Sequence, residues 1–107
     1  MDLNALYNIA EKEKIKIYNW KIEDVNGMYL EYKNNRAIAI NYNRINNEND
    51  EKCTLSEELG HYYMNATYPA SCKNKALMDK QEYRAKKWSY TILIPYEDLK
   101  SAIKKRY

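Results

Sequence analysis

In the stretch Cys53 to Tyr63, CTLSEELGHYY, the run Glu57-Glu58-Leu59-Gly60-His61 departs from the zinc-binding pattern H-E-x-x-H only at its first position, where glutamate stands for histidine. On a helix, residues 57 and 61 lie about one turn plus 40° apart and about 6 Å along the axis, so both side chains can reach one ion. Glu58 projects about 100° further round, where H-E-x-x-H enzymes keep the carboxylate that takes a proton from water. Three readings fit these residues: a disarmed zinc site, a zinc site with another ligand, and an ordinary charged helix.

A catalytic zinc takes three protein donors and leaves a further position open. Glu57 and His61 would supply two, and Asp79 and Glu82 in the following helix are candidates for the third. Cys53 completes an i, i+4, i+8 column, but eight residues span about 12 Å of axis, too far for Cys53 and His61 to share an ion. Cys53 is therefore expected in the core. Gly60 costs a helix roughly 1 kcal/mol against alanine, which a close backbone approach would explain. The plainer alternative is a solvated histidine near two glutamates, with Glu82 serving only as the N3 partner of Asp79 in a capping box.

The elements that would carry these residues follow from periodicity. Leu3, Leu6, Tyr7 and Ala10 behind Asp2 read as an amphipathic helix over 3 to about 13. Alternation at Ile15 and Ile17, then Met28, Leu30 and Tyr32 after Asn26-Gly27, then Ile38, Ile40 and Tyr42 after Asn34-Asn35, predicts three short strands in an antiparallel meander. Asn43 to Glu51 is a polar loop whose Asn49 or Asp50 can cap the helix bearing EELGH. Residues 65 to 77 read as a loop. Asp79 and Glu82 then open a helix with Tyr83, Ala85, Trp88 and the stem of Lys87 inward, ended by Pro95. A last helix begins near Tyr96, with Leu99, Ala102 and Ile103 on one face.

The chain has 107 residues, enough for a single domain with one core. Its twelve tyrosines, two tryptophans and no phenylalanine mean that buried rings carry hydroxyls needing partners, which favours a thin core beside a polar cleft. With only two glycines, asparagine must do much of the turn work. The net charge of +3 is interspersed and does not establish nucleic-acid binding. No apolar run reaches the roughly 18 to 20 residues of a membrane span and no secretory leader is visible, so a cytoplasmic protein is expected. Cys53 and Cys72 lack C-x-x-C spacing and are expected to be free thiols.

The pair CTLSEELGHYY and, after a loop, QEYRAKKWSYTILIP resembles the ImmA/IrrE family of metallopeptidases, with a helix H-E-L-G-H, a second helix E-x-x-A-x-x-F/W-A and an L-x-P-type ending. The likeness covers roughly residues 28 to 99. It implies metal ligands at Glu57, His61 and Glu82, a general base at Glu58, packing positions at Ala85 and Trp88, and a helix end at Ile94-Pro95. It also implies an α+β, zincin-like domain spanning 1–107, with a small antiparallel or mixed three-stranded sheet packed against the metal-binding helices. The implied activity is zinc-dependent cleavage of a helix-turn-helix repressor of a prophage or mobile element, with no direct contact to nucleic acid or membrane. The alternative is a non-catalytic module that binds the repressor without cutting it.

A set of Glu57, His61 and Glu82 would be one unit more negative than two histidines and a glutamate, making the ion a weaker Lewis acid. Its oxygen-rich donors leave room for Mn2+ or Fe2+ beside Zn2+. In a zincin-like arrangement an extended peptide adds to a sheet edge above the metal helix. Arg36 to Tyr42 is expected to be that edge, with the small Ala37 and Ala39 letting a peptide backbone approach. Tyr63 and Tyr90 are candidates for steadying an oxyanion by their nearness in sequence to the two motifs.

Overall fold

A computed structural model of the chain describes residues 1–67 and 72–93. Helix α1 (Leu3–Lys12) leads into strand β1 (Ile15–Asn19), then β2 (Gly27–Tyr32) and β3 (Asn35–Ile40). A 3₁₀ turn at Tyr42–Arg44 precedes α2 (Glu48–Tyr63) and α3 (Lys75–Leu93). This is the α+β architecture expected: helices packed on one side of a small mixed sheet. The expected last helix near Tyr96, the Ile94-Pro95 helix end and part of the 65 to 77 loop lie outside the described residues.

The N-termini of all three helices are fixed by short polar side chains, as orphan N–H groups require. Ala5 N donates to Asp2 Oδ1 at 2.8 Å in α1. In α2 the cap is Asn47, accepting from Asp50 N at 2.8 Å, rather than Asn49 or Asp50. Asp50 instead turns back and accepts from Asn46 N at 3.1 Å. Helix α3 starts earlier than a capping box at Asp79 and Glu82 would allow, because Leu77 N already donates to Asn74 Oδ1 at 3.1 Å. Glu82 therefore sits in the body of the helix. Ala85 and Ser89 are its buried positions and Trp88 is half-buried, while Tyr83 and Lys87 face outward, against expectation.

The sheet is not a meander. Its order is β1-β3-β2, with β1 parallel and β2 antiparallel to β3. Residues 20–26 carry the chain past the end of β3 and are pinned there: Trp20 N donates to Ile40 O at 3.0 Å and Asn41 N to Asn26 O at 2.8 Å. The Asn41 side chain adds a bond to Ile22 O at 2.7 Å. β3 consequently occupies the centre, which suits its run of fully buried Ile38, Ala39 and Ile40. The edge expected at Arg36 to Tyr42 is thus corrected: β2 covers that side of β3, so Ala37 and Ala39 cannot receive an added strand. The β2–β3 turn is Lys33-Asn34, with φ of 47° and 67°, the left-handed pair of a type I′ hairpin.

Leu6, Ala10, Ile15, Ile38, Ile40, Leu55 and Leu59 form the core between the sheet and helices α1 and α2. Cys53, expected there, is exposed. Both glycines mark places where another segment presses on α2. A β-carbon on Gly60 would stand 2.4 Å from the Ala85 carbonyl oxygen of α3, and one on Gly27 would stand 2.8 Å from Thr54 Cγ2 and 3.3 Å from Glu58 Cγ. The close approach inferred for Gly60 from its poor helix propensity is therefore a contact between helix backbones. Gly60→Ala should lower unfolding free energy by about 1–3 kcal/mol in urea despite the better helix former. Because the clash is with backbone, adding Ala85→Gly should not restore it; a fully restored double variant would contradict this packing.

Candidate active site

The face of α2 that turns away from the core carries Thr54, Glu57, Glu58 and His61 into a cleft of about 1260 Å³. Strand β2 forms one wall from Gly27 to Glu31, Ala66 and Thr67 close an end, and Met78, Glu82 and Lys86 of α3 form the opposite side. The helix crossing at Gly60 and Ala85 sets the width here, since His61 follows Gly60 directly and Glu82 precedes Ala85 by one turn.

His61 is the centre of the arrangement and is buried. Its Nδ1 lies 2.6 Å from the Ala66 carbonyl, which can only accept, so Nδ1 carries a proton and Nε2 faces the cleft. Nε2 is 3.3 Å from Glu82 Oε1 and 3.9 Å from Glu58 Oε1. Burial pulls the imidazole pKa down, but the Glu82 contact, the Ala66 carbonyl and the charges of Glu58 and Glu82 outweigh it and hold the group at about 9. Glu58 is pushed up to about 7, chiefly by burial, with Glu82 and Glu57 adding to the rise and His61 opposing it. Its Oε2 is buried and without a hydrogen-bond partner among the described residues. Glu57 is also raised, by burial first and by Glu82, with Lys86 and His61 drawing it back.

Glu82 and Glu58 thus stand against one imidazole, and proton affinity is raised at His61, Glu58 and Glu57. The donor types suit a divalent cation: an imidazole whose far nitrogen is fixed by a carbonyl, as in metal-binding histidines generally, beside several carboxylates and an orphaned buried oxygen. Among the described residues, however, no three His, Cys, Asp or Glu side chains already stand close enough to enclose an ion. His61, Glu82 and Glu58 are brought together; Glu57 lines the same cleft a turn away. Ala37 and Ala39 are not part of it. Neither Tyr63 nor Tyr90 lines the cleft, and Tyr63 stacks on Trp88 at 4.9 Å; among the described residues Tyr29 is the tyrosine that lines it.

The chain matches the peptidase M78 family, described as the IrrE N-terminal-like domain, over residues 10–107. It belongs to this family. Neither a curated protein nor a solved structure matches the chain. The IrrE-type assignment accords with the resemblance carried by EELGH and the second helix, and with the small α+β fold. Ala66, Gly27 and Lys86 are the site neighbours that sequence reasoning missed. Of these only Gly27 carries a signal in the sequence, as one of two glycines, and the pair Asn26-Gly27 signals a turn just as readily.

Burial favours the neutral form of Glu58 from its ordinary value of 4.5 up to about 7, so the stability this contributes is complete below pH 4.5 and is lost as pH rises through 7. Glu58→Gln stays neutral throughout. In chelator, the unfolding free energy of the variant minus that of the parent should grow by about 3 kcal/mol between pH 4.5 and 7 and then level off. A difference independent of pH would show that Glu58 is not held in this environment.

Proposed function

We propose that this chain is a metal-dependent peptidase that hydrolyses a protein substrate, with a helix-turn-helix repressor in the cytoplasm as the intended target. The observation that carries the reading is the His61 cluster: Nε2 turned to Glu82 at 3.3 Å and Glu58 at 3.9 Å, with Nδ1 anchored on Ala66, at the floor of an open cleft. His61 and Glu82, with Glu57, would hold the ion, Zn2+ or one of the more oxygen-tolerant Mn2+ and Fe2+. Such an ion would supply Lewis acidity toward a water and the scissile carbonyl. Glu58 takes the proton from the attacking water and passes it to the departing amine. Glu58 is buried beside the imidazole with Oε2 without a hydrogen-bond partner among the described residues, which leaves a carboxylate oxygen to accept and then release that proton.

The substrate would lie along β2. In the antiparallel ladder, alternate residues of β2 direct both backbone groups toward β3, and the Asn41 N to Asn26 O bond fixes which ones: Met28, Leu30 and Tyr32 continue that set. Gly27, Tyr29 and Glu31 therefore offer their N–H and C=O groups to the open edge beside the cleft. Glycine at 27 also lets the strand pass close over Glu58. Glu31→Pro, which removes one outward donor, should raise KM for an extended peptide several-fold while leaving kcat and Tm near the parent's.

The second reading, a module that binds the repressor without cutting it, is favoured by glutamate at 57 and by the open spacing of the donors among the described residues. Two measurements decide. Elemental analysis of protein purified without chelator or metal-affinity resin should give about one transition metal per chain, reduced in His61→Ala and Glu82→Ala. Glu58→Gln should retain metal while cleavage of a helix-turn-helix repressor falls by roughly 10² to 10⁴. A metal-loaded parent that cuts no faster than Glu58→Gln, yet still binds the repressor, would establish the second reading.

A further inference from the structure

The sheet has two faces, and the helices of the core cluster use only one. Ile15, Ile17, Ile38 and Ile40 point to the core, so the alternation of the strands sends Lys16, Tyr18, Met28, Leu30, Tyr32, Ala37 and Ala39 to the other side. Across the sheet this second face runs large, small, large: the strand pairing aligns Tyr18 with Ala39 and Met28, and Lys16 with Ala37 and Leu30. A shallow cavity of about 400 Å³ opens over Ala37, bounded by Tyr18, Asn19, Trp20 and Leu30.

This face is unusually apolar for one facing solvent. Tyr18 is 48% exposed, Trp20 58%, Tyr32 71% and Met28 40%. The three rings alone present roughly 350 Å², taking an aromatic side chain as about 200 Å², which is the scale of a functional patch rather than scattered exposure. Tyrosine and tryptophan are also the residues that most often anchor protein interfaces.

Shape and charge narrow the occupant. The flanking ridges stand on β1 and β2, two strand spacings or about 9.5 Å apart, and Ala39 between them is fully buried, so an α-helix about 10 Å across rests on both ridges and sends one side chain into the opening over Ala37. A second copy of the same trough would meet ridge on ridge. No strand position on this face is acidic; Lys16 lies in the second row, Lys33 Nζ sits 5.3 Å from the Tyr32 ring, and Lys21 follows Trp20. Glu23 and Asp24 follow in the connection and do not bound the opening over Ala37. Residues 94–107 of the chain itself hold four cations against two acids and are poorly matched to a basic rim.

We propose that the outer sheet face is a docking trough for an amphipathic helix of a partner protein, with an apolar stripe on Ala37, Trp20 and Leu30 and acidic residues toward Lys16 and Lys33. The site opens on the other face of the sheet, meets the cleft only along the β2 edge at Met28, Leu30 and Lys33, and does not depend on any reaction there.

The test is isothermal titration of the intact chain with two helical 20-residue probes sharing one leucine and alanine stripe, one flanked by glutamates and the other by lysines. The acidic probe should bind at least tenfold more tightly than the basic one. Trp20→Ala and Ala37→Glu should each weaken it tenfold or more with the circular dichroism spectrum unchanged, whereas Tyr83→Ala, exposed on α3, should not. Equal binding of both probes, or undiminished binding by both trough variants, overturns the proposal. So does displacement of the acidic probe by oligo-dT, which would make the rings a nucleic-acid platform. Displacement by a peptide of residues 94–107 would give the face to the chain's own C-terminal segment, and a dimer lost in Trp20→Ala would give it to a second copy; either result also overturns the proposal.

Discussion

The contact between the Gly60 and Ala85 backbones governs the rest of this structure. It allows α2 and α3 to approach at a distance that no side chain at position 60 would permit, and the functional residues sit within a turn of it on both helices. His61 and Glu82 meet because the crossing point lies beside one and a turn beyond the other. A helix pair separated by a methyl group would still bury Leu55 and Leu59 against the sheet, but the imidazole and the carboxylate would no longer share a contact. Stability and site geometry are therefore joined through one missing β-carbon.

A second constraint is electrostatic. Glu58 and Glu82 face a single imidazole with Glu57 a turn away, and proton affinity is raised at Glu57, Glu58 and His61. Without an added cation the fold relieves this by keeping His61 protonated and Glu58 about half protonated at pH 7. A divalent ion would replace those protons, so occupation by metal and loss of protons are alternative solutions to one excess of negative charge. The glutamate at 57 deepens that excess relative to a histidine in the same place.

The parts of the fold legible in the sequence were those fixed by local chemistry. The period of Leu3, Leu6 and Ala10 gave α1, alternation gave three strands in nearly their observed bounds, and the geometry of a helical turn placed Glu57, Glu58 and His61 on one cleft. Strand order was not legible, because alternation reports which face a residue takes and not which neighbour a strand pairs with. The insertion of β3 between β1 and β2 is decided by the Trp20, Asn26 and Asn41 hydrogen bonds, which connect residues distant in sequence. The start of α3 was misplaced because Asn74 and Asp79 are both competent caps and only the chain's path chooses between them. The role of Ala66 could not be foreseen, since a backbone carbonyl leaves no trace in residue identity.

That carbonyl belongs to a reciprocal clasp. Ala66 N donates to His61 O at 2.9 Å while His61 Nδ1 donates to Ala66 O at 2.6 Å, with Asn65 at a φ of 49° turning the chain back between them. The histidine is thus tied to the first residues after its own helix. In evolutionary terms the imidazole carries its own positioning device: the six residues from His61 to Ala66 share one constraint, and a change in the path of that short stretch would retune the ring.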